Sequence, residues 1–321
     1  MRSFIVSIVV LCFCSGWTSV HAQKPAQAES VPDSSQENGD EAADEKESTR
    51  RVRLFGSLSL FYDSNADHNQ TRIRSFGTVA RLGFHFQNRV KDPSFQIEYE
   101  GVLHRFTNSD RFDRFSNRLA FWYRKRFLKR WAVRTYASIL LKGSPEDREL
   151  NDWYTLGEML EYRLTSTTRF EAFAAYRIKR NPNSEAADAI DSYVGGGVLQ
   201  RFGKRSLHVT YRYDNNRAKD VANRFIRWRF DGQFQTPLRS PRNHLLVDVS
   251  YVPVLFARTT KSKLGPLVLH DWRWVAEIDL RRQLNRNLEV TAFYRYENRD
   301  SNNPNRKYNA HMTGVTFGFR W

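Results

Sequence analysis

The chain has 321 residues, of which 40% are hydrophobic, 14% aromatic and 27% charged, and its formal net charge is +16. After the N-terminal region no stretch offers the roughly 18 uncharged apolar residues of a transmembrane helix, which excludes a helical membrane bundle. The aromatic content is too high for a disordered chain, and 10 Pro and 16 Gly exclude collagen-like or low-complexity classes. A transmembrane β-barrel is compatible with this composition, because only alternate residues of its strands face lipid.

Residues 1–22 resemble a secretory signal peptide. Arg2 supplies the positive start, an apolar run extends from Phe4 to Cys14, and Val20-His21-Ala22 resembles a cleavage site. The alternative interpretation, a single membrane anchor, would need a longer apolar run. Both cysteines of the chain lie inside this segment. We therefore expect a mature chain without a disulfide, a thiol nucleophile or a Cys-based metal site.

Residues 23–50 form an acidic segment with a net charge of −5, whereas residues 51–321 carry +20. The segment has no aromatic residue and cannot bury enough apolar area to offset the entropy of ordering, so we predict that it is disordered and periplasmic. Two roles stay open, a solvated tether and a plug that enters a positive lumen. Its acidic residues are Glu29, Asp33, Glu37, Asp40, Glu41, Asp44, Glu45 and Glu47.

From Arg51 onward apolar and polar residues alternate with period two, which predicts strands with one apolar face. About fourteen such segments follow one another. Most are 10 to 15 residues long. A soluble strand usually has about 5–6 residues, whereas a tilted membrane strand needs about 9–11. The predicted strands are 52–63, 73–87, 94–106, 115–126, 131–142, 152–164, 168–180, 190–202, 205–214, 224–236, 243–256, 271–283, 288–298 and 309–321.

The connections between these strands alternate in length. Those after even strands are short, as at Gly203-Lys204, and those after odd strands are longer and polar, as at Gly143–Asn151 and Arg258–His270. This asymmetry is typical of bacterial outer-membrane barrels. In lipid every strand edge must be paired, so the sheet has to close. The sequence therefore predicts an all-β, antiparallel, up-and-down transmembrane barrel of about 14 strands over 51–321, with both termini on the periplasmic rim.

Aromatic residues near the strand ends are expected to form girdles at the two membrane interfaces. Any one of them could instead be a buried core residue. The aromatics assigned to the girdles are Tyr62, Trp122, Trp131, Trp153, Tyr193, Trp272, Tyr308 and Trp321.

The last strand ends in Phe317, Phe319 and Trp321, with aromatics at alternate positions. The chain from 51 onward resembles a Gram-negative outer-membrane β-barrel protein, and the resemblance implies that these three residues form the signal that the barrel-assembly machinery recognises. The first strand, Gly56 to Asn65, is also similar to that of porin-like barrels and of surface lipoprotein assembly modifiers. Those modifiers carry a helical repeat domain before the barrel, where this chain has only the acidic segment. The same Tyr-Asp-Ser-Asn stretch is compatible with a strand that runs into an Asx-type turn.

If the apolar faces contact lipid, the opposite faces line the lumen. Two interpretations of its arginines stay open, a positive field that attracts anionic solutes and an Arg–Glu network that only solvates the interior. The guanidinium group suits fixed, bidentate pairing with carboxylates. The predicted lumen-lining arginines are Arg81, Arg118, Arg124, Arg134, Arg177, Arg212, Arg227, Arg229, Arg273, Arg281 and Arg295.

Catalytic hypotheses have little support in the sequence. His311, with Ser301 and Asp300 in the preceding connection, is the best candidate for a hydrolase site, but a rim or lumen histidine is the favoured interpretation. No nucleophile elbow and no close His pair for a metal is present in the sequence, so we expect no enzyme activity, no metal site and no cofactor. A secreted barrel would not routinely meet nucleic acid, despite the positive charge.

The predicted function is a porin-like outer-membrane channel for passive diffusion or uptake of small hydrophilic, possibly anionic, solutes. One alternative is a barrel that assists export or surface display of a partner protein, and another is a structural or adhesive surface barrel with a closed lumen. The expected partners are outer-membrane lipid, lipopolysaccharide, the assembly machinery and a small solute. A monomer is expected rather than a trimer.

Overall fold

The computed structural model describes residues 50–66, 68, 72–88, 93–108, 113–143, 152–181, 185–262 and 265–321. Within these residues, fourteen antiparallel strands form one closed barrel, because each strand pairs with its neighbours in the sequence and the first pairs with the last. The predicted fold class and strand number are therefore confirmed. The predicted signal peptide and residues 23–49 lie outside the described residues. The strands are β1 (Arg50–Asp63), β2 (Ser75–Asn88), β3 (Ser94–Phe106), β4 (Arg114–Leu128), β5 (Trp131–Gly143), β6 (Asp152–Arg163), β7 (Thr168–Arg180), β8 (Ala189–Phe202), β9 (Arg205–Ala218), β10 (Phe225–Pro237), β11 (Asn243–Ser262), β12 (Gly265–Gln283), β13 (Leu288–Ser301) and β14 (Tyr308–Arg320).

Three short 3-10 helices, Glu185–Ala187, Val221–Asn223 and Pro304–Arg306, lie in connections of the described chain. No helix in the described ranges has the length and apolar character needed to cross a membrane.

The alternation of side chains creates two chemically different faces. On β6, Tyr154, Leu156 and Leu160 are 40%, 60% and 37% exposed, whereas their neighbours Trp153 and Glu161 are 3% and 2% exposed. The same contrast recurs around the barrel, and a continuous exposed apolar surface of this extent needs hydrocarbon around it rather than water. The apolar face is therefore the outer face, and the polar face lines the interior.

The two rims of the barrel differ. We call the rim with both chain ends and the connections after even strands the turn rim, and the other the loop rim. Gly203-Lys204 is a two-residue connection of the turn rim, and Gly203 has φ +63°, a conformation that glycine adopts without a Cβ clash. At the loop rim, Asp63 ends β1 and accepts a hydrogen bond from the Asn65 backbone N–H at 2.8 Å. This contact is the Asx-type turn that the Tyr-Asp-Ser-Asn stretch was compatible with.

The prediction of a long connection over Arg258–His270 is wrong. The structure continues β11 to Ser262 and begins β12 at Gly265, so these two strands form a long hairpin that pairs Thr259 with Val268 beyond a register shift. Strand pairing needs only neighbouring backbone groups. A hairpin can therefore extend past the part of the barrel where a regular apolar face is required.

Only half of the aromatics predicted for the girdles lie on the outer face, where a girdle residue has to be, and the prediction is wrong for the other half. Tyr62, Trp131, Trp272 and Trp321 lie on the outer face. The other four, Trp122, Trp153, Tyr193 and Tyr308, lie on the inner face, where they share strand parity with inward polar residues and contact other inward side chains. Their physical role is packing against interior cations and carboxylates rather than anchoring at a membrane interface.

Candidate functional site

All eleven arginines predicted to line the lumen lie on the inner face, and they fall into two groups. Five have solvent-accessible side chains: Arg81 (52%), Arg118 (24%), Arg124 (29%), Arg281 (28%) and Arg295 (33%). The other six are almost buried by their neighbours: Arg134, Arg177, Arg212, Arg227, Arg229 and Arg273.

The accessible arginines are matched by carboxylates on the same strand or on an adjacent one. Arg81 and Arg118 lie 3.7 Å and 3.6 Å from Glu100 and Glu98, respectively. On the other side of the β1–β14 seam, Arg295 lies 3.2 Å from Glu277 and Arg281 4.0 Å from Asp279. These pairs are partly hydrated, so each contributes little net field and little stability.

Two further arginine pairs each share a buried glutamate. Glu161 is 2.9 Å from Arg124 and 3.3 Å from Arg134. Glu297 accepts two hydrogen bonds of 2.7 Å from Arg273 and lies 3.4 Å from Arg295. In each cluster one pair, Arg134–Glu161 or Arg273–Glu297, joins neighbouring strands, which is compatible with the interpretation in which arginine and glutamate satisfy each other.

A third cluster, on β7–β10, has more cations than carboxylates, and we call it the cation wall. It contains five cations and three carboxylates: Arg177, Lys179, Arg212, Arg227 and Arg229, with Asp191, Asp214 and Asp231.

Asp191 and Asp214 each serve two cations of the wall, and both are 0% exposed. Asp191 lies 3.0 Å from Lys179 and 3.6 Å from Arg177. Asp214 lies 2.7 Å from Arg227 and 2.9 Å from Arg212.

Asp231 pairs with Arg229, whose Nε donates to both carboxylate oxygens at 2.8 Å and 2.7 Å. Ser250 also donates a hydrogen bond to Asp231. Asp191 and Asp214 are therefore each shared by two cations, whereas Asp231 pairs with Arg229. Because a buried charge is costly unless it is compensated, cations that share one carboxylate need further stabilisation.

Aromatic rings provide that compensation. The guanidinium carbon of Arg177 lies 4.4 Å from the ring centre of Trp153 and 5.3 Å from that of Tyr193. The guanidinium carbon of Arg212 lies 4.8 Å from the ring centre of Tyr193, and Lys142 Nζ lies 3.6 Å from the ring centre of Trp153. A cation over an aromatic face gains about 0.5–2 kcal/mol, the upper value when both groups are desolvated. The rings therefore stabilise positive charge without cancelling it.

Small residues allow the rings to lie along the wall. Tyr136 and Tyr193 are in one register row, separated by Gly157 and Ala175, and their hydroxyls hydrogen-bond to each other above these two residues. A Cβ on Gly157 would meet the ring of Tyr136. Phe173 and Met159 complete this buried cluster. The cluster fixes the Tyr193 ring, and hence the two guanidinium groups that stack on it.

Sequence reasoning placed the arginines of the wall but missed its aromatic part, Trp153, Tyr193 and Phe225. The ring centre of Phe225 lies 5.4 Å from Lys179 Nζ and 5.5 Å from the guanidinium carbon of Arg227. Strand parity contains the signal that identifies them. Trp153 shares parity with Glu161, Tyr193 with Asp191, and Phe225 with Arg227, each a polar residue of the inner face.

The loop-rim mouth is partly covered from inside by the β1–β2 connection. Ala66 (4% exposed) and Ile73 pack on the inward residues Phe61, Val79 and Phe106. His68, with φ +50°, reaches Glu297 at 3.5 Å and the Tyr308 hydroxyl at 3.3 Å. This connection narrows the mouth on the side opposite the cation wall.

The hypothetical catalytic group is not assembled. His311 lies on the outer face and hydrogen-bonds to the Tyr294 hydroxyl at 2.8 Å. Ser301 is 1% exposed on the inner face. Since His311 is opposite Tyr296, Ser301 lies about 17 Å further along the strand. Asp300 instead pairs with Lys307 at 2.7 Å. Across the residues that the structure describes, no group of three His, Cys, Asp or Glu side chains could hold a metal ion.

The three aromatics of the predicted assembly signal lie at the end of the barrel wall. Phe317 and Phe319 are 51% and 40% exposed on the outer face of β14, and Trp321 is 85% exposed at the turn rim.

No protein-family model matches the sequence, and no curated protein matches it. Solved structures match in fold. In-vitro folded OmpT, an outer membrane protein of Vibrio cholerae, has a TM-score of 0.51 at 11% identity, covering 86% of this chain and 99% of that one. Its loop L8 deletion mutant has a TM-score of 0.50 at 11% identity, with coverages of 85% and 100%. The anion-selective porin from Comamonas acidovorans has a TM-score of 0.49 at 10% identity, with coverages of 84% and 99%. This chain therefore has the closed-barrel fold of Gram-negative outer-membrane proteins.

Proposed function

We propose that this barrel is an outer-membrane channel through which small hydrophilic, anionic solutes diffuse. The surplus of positive charge in the cation wall is the observation that carries the proposal, since five cations share three carboxylates there. Charges that are shielded from water are screened less, and their field extends further into an adjacent aqueous space. An anion in the lumen is therefore favoured over a cation.

The size of the barrel supports a conduit. Fourteen strands about 4.8 Å apart and tilted by about 40° close into a backbone cylinder of about 28 Å diameter. Barrels of about 8 strands are filled by their own side chains, and those of 16–18 strands hold a water channel. The accessible pairs around Arg81, Arg118 and Arg295 place hydrated side chains opposite the cation wall.

The same proposal includes processing and location. Residues 1–22 direct export and are removed, residues 23–50 stay in the periplasm, and residues 51–321 span the outer membrane with both termini periplasmic. The exposed apolar outer face supports this, as does the terminal strand with Phe317 and Phe319 facing outward, which the assembly machinery would recognise. The outer face would contact lipid and lipopolysaccharide around a monomeric barrel.

A structural barrel with a closed lumen is the second candidate. It is favoured by the inward packing of Ala66 and Ile73 at the loop-rim mouth. Export of a partner protein is a further alternative, and a partner that co-purifies with the barrel would favour it.

Reconstitution of the mature chain in planar lipid bilayers tests the proposal. We expect a steady conductance and, under a salt gradient, a reversal potential on the anion-selective side. A barrel that passes no steady current would support the closed structural alternative. A conducting barrel with cation preference would contradict the anionic substrate class.

A further inference from the structure

The turn rim is strongly basic in the part of the chain that the structure describes. Its described connections, 93, 129–130, 164–167, 203–204, 238–242 and 284–287, contain no aspartate or glutamate. Ten exposed cations lie in these connections or at the strand ends beside them, and we call them the basic rim: Lys129, Arg130, Arg163, Lys204, Arg205, Arg239, Arg242, Arg282, Arg286 and Arg320.

Little on the barrel itself neutralises the basic rim. Among the described residues, only Arg320 of this set has a carboxylate within ion-pair distance, Glu289 at 3.5 Å. Between the β4–β5 and β6–β7 turns a small cavity is lined by Lys129, Arg130 and Arg163 together with three further arginines and one carboxylate, Glu161. Such a concentration of like charge repels itself and favours an anionic occupant.

We propose that the acidic segment of this same chain, residues 29–47, docks on the basic rim. The segment has eight carboxylates and one lysine. It precedes Arg50, the first residue of β1, and β1 begins at the turn rim. The segment is therefore tethered beside the surface that its charge complements, whichever way the barrel is oriented in the membrane.

The tether is long enough for the segment to reach any part of the basic rim. From Glu29 to Arg50 is 21 residues. A flexible chain of that length has a root-mean-square span of about 25 Å. This span is close to the barrel diameter of about 28 Å. A short flexible tether keeps a binding segment at an effective concentration of about millimolar, so weak individual ion pairs suffice for docking.

Docking of this kind depends on salt. Exposed charges interact over a Debye length of about 10 Å at 0.1 M salt and about 3 Å at 1 M. The segment has no aromatic residue, and its apolar residues are limited to Val31, Pro32 and small alanines, so the contact should be largely lost at high ionic strength. This inference concerns a distance within the chain and does not depend on whether the barrel conducts.

The absence of cysteine from residues 23–321 makes the distance measurable with two introduced labels. Ser35→Cys places one in the acidic segment, and Ser166→Cys places the other in the β6–β7 turn, where Ser166 is exposed. Spin labels at the two sites in the mature chain, held in zwitterionic nanodiscs, report the distance distribution by pulsed dipolar spectroscopy. We expect a narrow distribution at about 50 mM salt that broadens at about 1 M salt.

Two variants separate charge from sequence. Replacing the eight acids by Asn and Gln should give the broad distribution at both salt concentrations. Reordering residues 29–47 around a fixed label, with all acids kept, should retain the narrow one. A distribution that is identical in the neutralised and native segments would overturn the proposal. Anionic phospholipid in the nanodisc is the competing occupant, and broadening at low salt on its addition would assign the basic rim to lipid headgroups instead.

Discussion

Asp214 and Arg212 form an ion pair, yet replacing Asp214 should lower the free energy of unfolding far more than replacing Arg212. Asp214 is 0% exposed and lies between Arg227 at 2.7 Å and Arg212 at 2.9 Å. Asp214→Asn leaves two buried guanidinium groups without their carboxylate. Removing one partner of a buried pair costs about 3–5 kcal/mol, so we expect a loss of about 3 kcal/mol in the free energy of unfolding, or about 150-fold in the equilibrium constant.

Arg212→Met should lower the free energy of unfolding by about 1 kcal/mol, because Asp214 remains paired with Arg227. The replacement loses the stacking of Arg212 on Tyr193, at 4.8 Å, but it also removes a like charge directly opposite Arg229 in the strand register. Like charges at opposed positions are destabilising, so part of the loss is offset.

Urea-induced unfolding in lipid vesicles, followed by tryptophan emission, measures both values. Arg217→Met is the matched control, since Arg217 is exposed on the outer face of the same strand, and its replacement should change stability by no more than about 0.5 kcal/mol. Equal costs for Asp214→Asn and Arg212→Met would refute the idea that the wall holds more cations than its carboxylates require.

Two further predictions concern the inner and outer faces. Gly157→Val should lower the free energy of unfolding by about 1–3 kcal/mol, because its side chain would collide with the ring of Tyr136. Gly232→Val, at a site with open space around the glycine, is its control and should lack that penalty in the same urea titration. Glu158 is exposed on the lipid-facing side of β6, and Glu158→Leu should raise the free energy of unfolding by up to about 2 kcal/mol, measured in vesicles. No gain on Glu158→Leu would mean that this carboxylate does not face hydrocarbon.

The strands were predictable because a period-two pattern carries both their location and their faces. Predicted and observed bounds agree within about three residues for most strands. They differ where a strand continues past the end of its period-two apolar pattern. β9 extends to Ala218 and β11 to Ser262, and there the residues are polar and the apolar face that the pattern detects is missing.

The composition of the inner wall was only partly predictable. Parity within a strand places Arg177 and Arg212 on the inner face. Their partners depend on the register between strands, which alternation alone does not specify. Asp191 and Asp214 meet these arginines because β7, β8 and β9 pair in one particular register. The inward position of Trp153 could have been read from parity, but its place near a strand end suggested a membrane interface.

The central claim is that the two surplus cations of the wall determine anion preference. The double variant Arg177→Met/Arg212→Met leaves one cation for each carboxylate, namely Lys179 with Asp191, Arg227 with Asp214 and Arg229 with Asp231. Reversal potentials of this variant and the native barrel, recorded in the same bilayers under the same potassium chloride gradient, test the claim most directly. We predict that the native barrel favours chloride and that the variant's reversal potential moves toward zero. An unchanged reversal potential in the variant, or a native preference for potassium, would contradict the account.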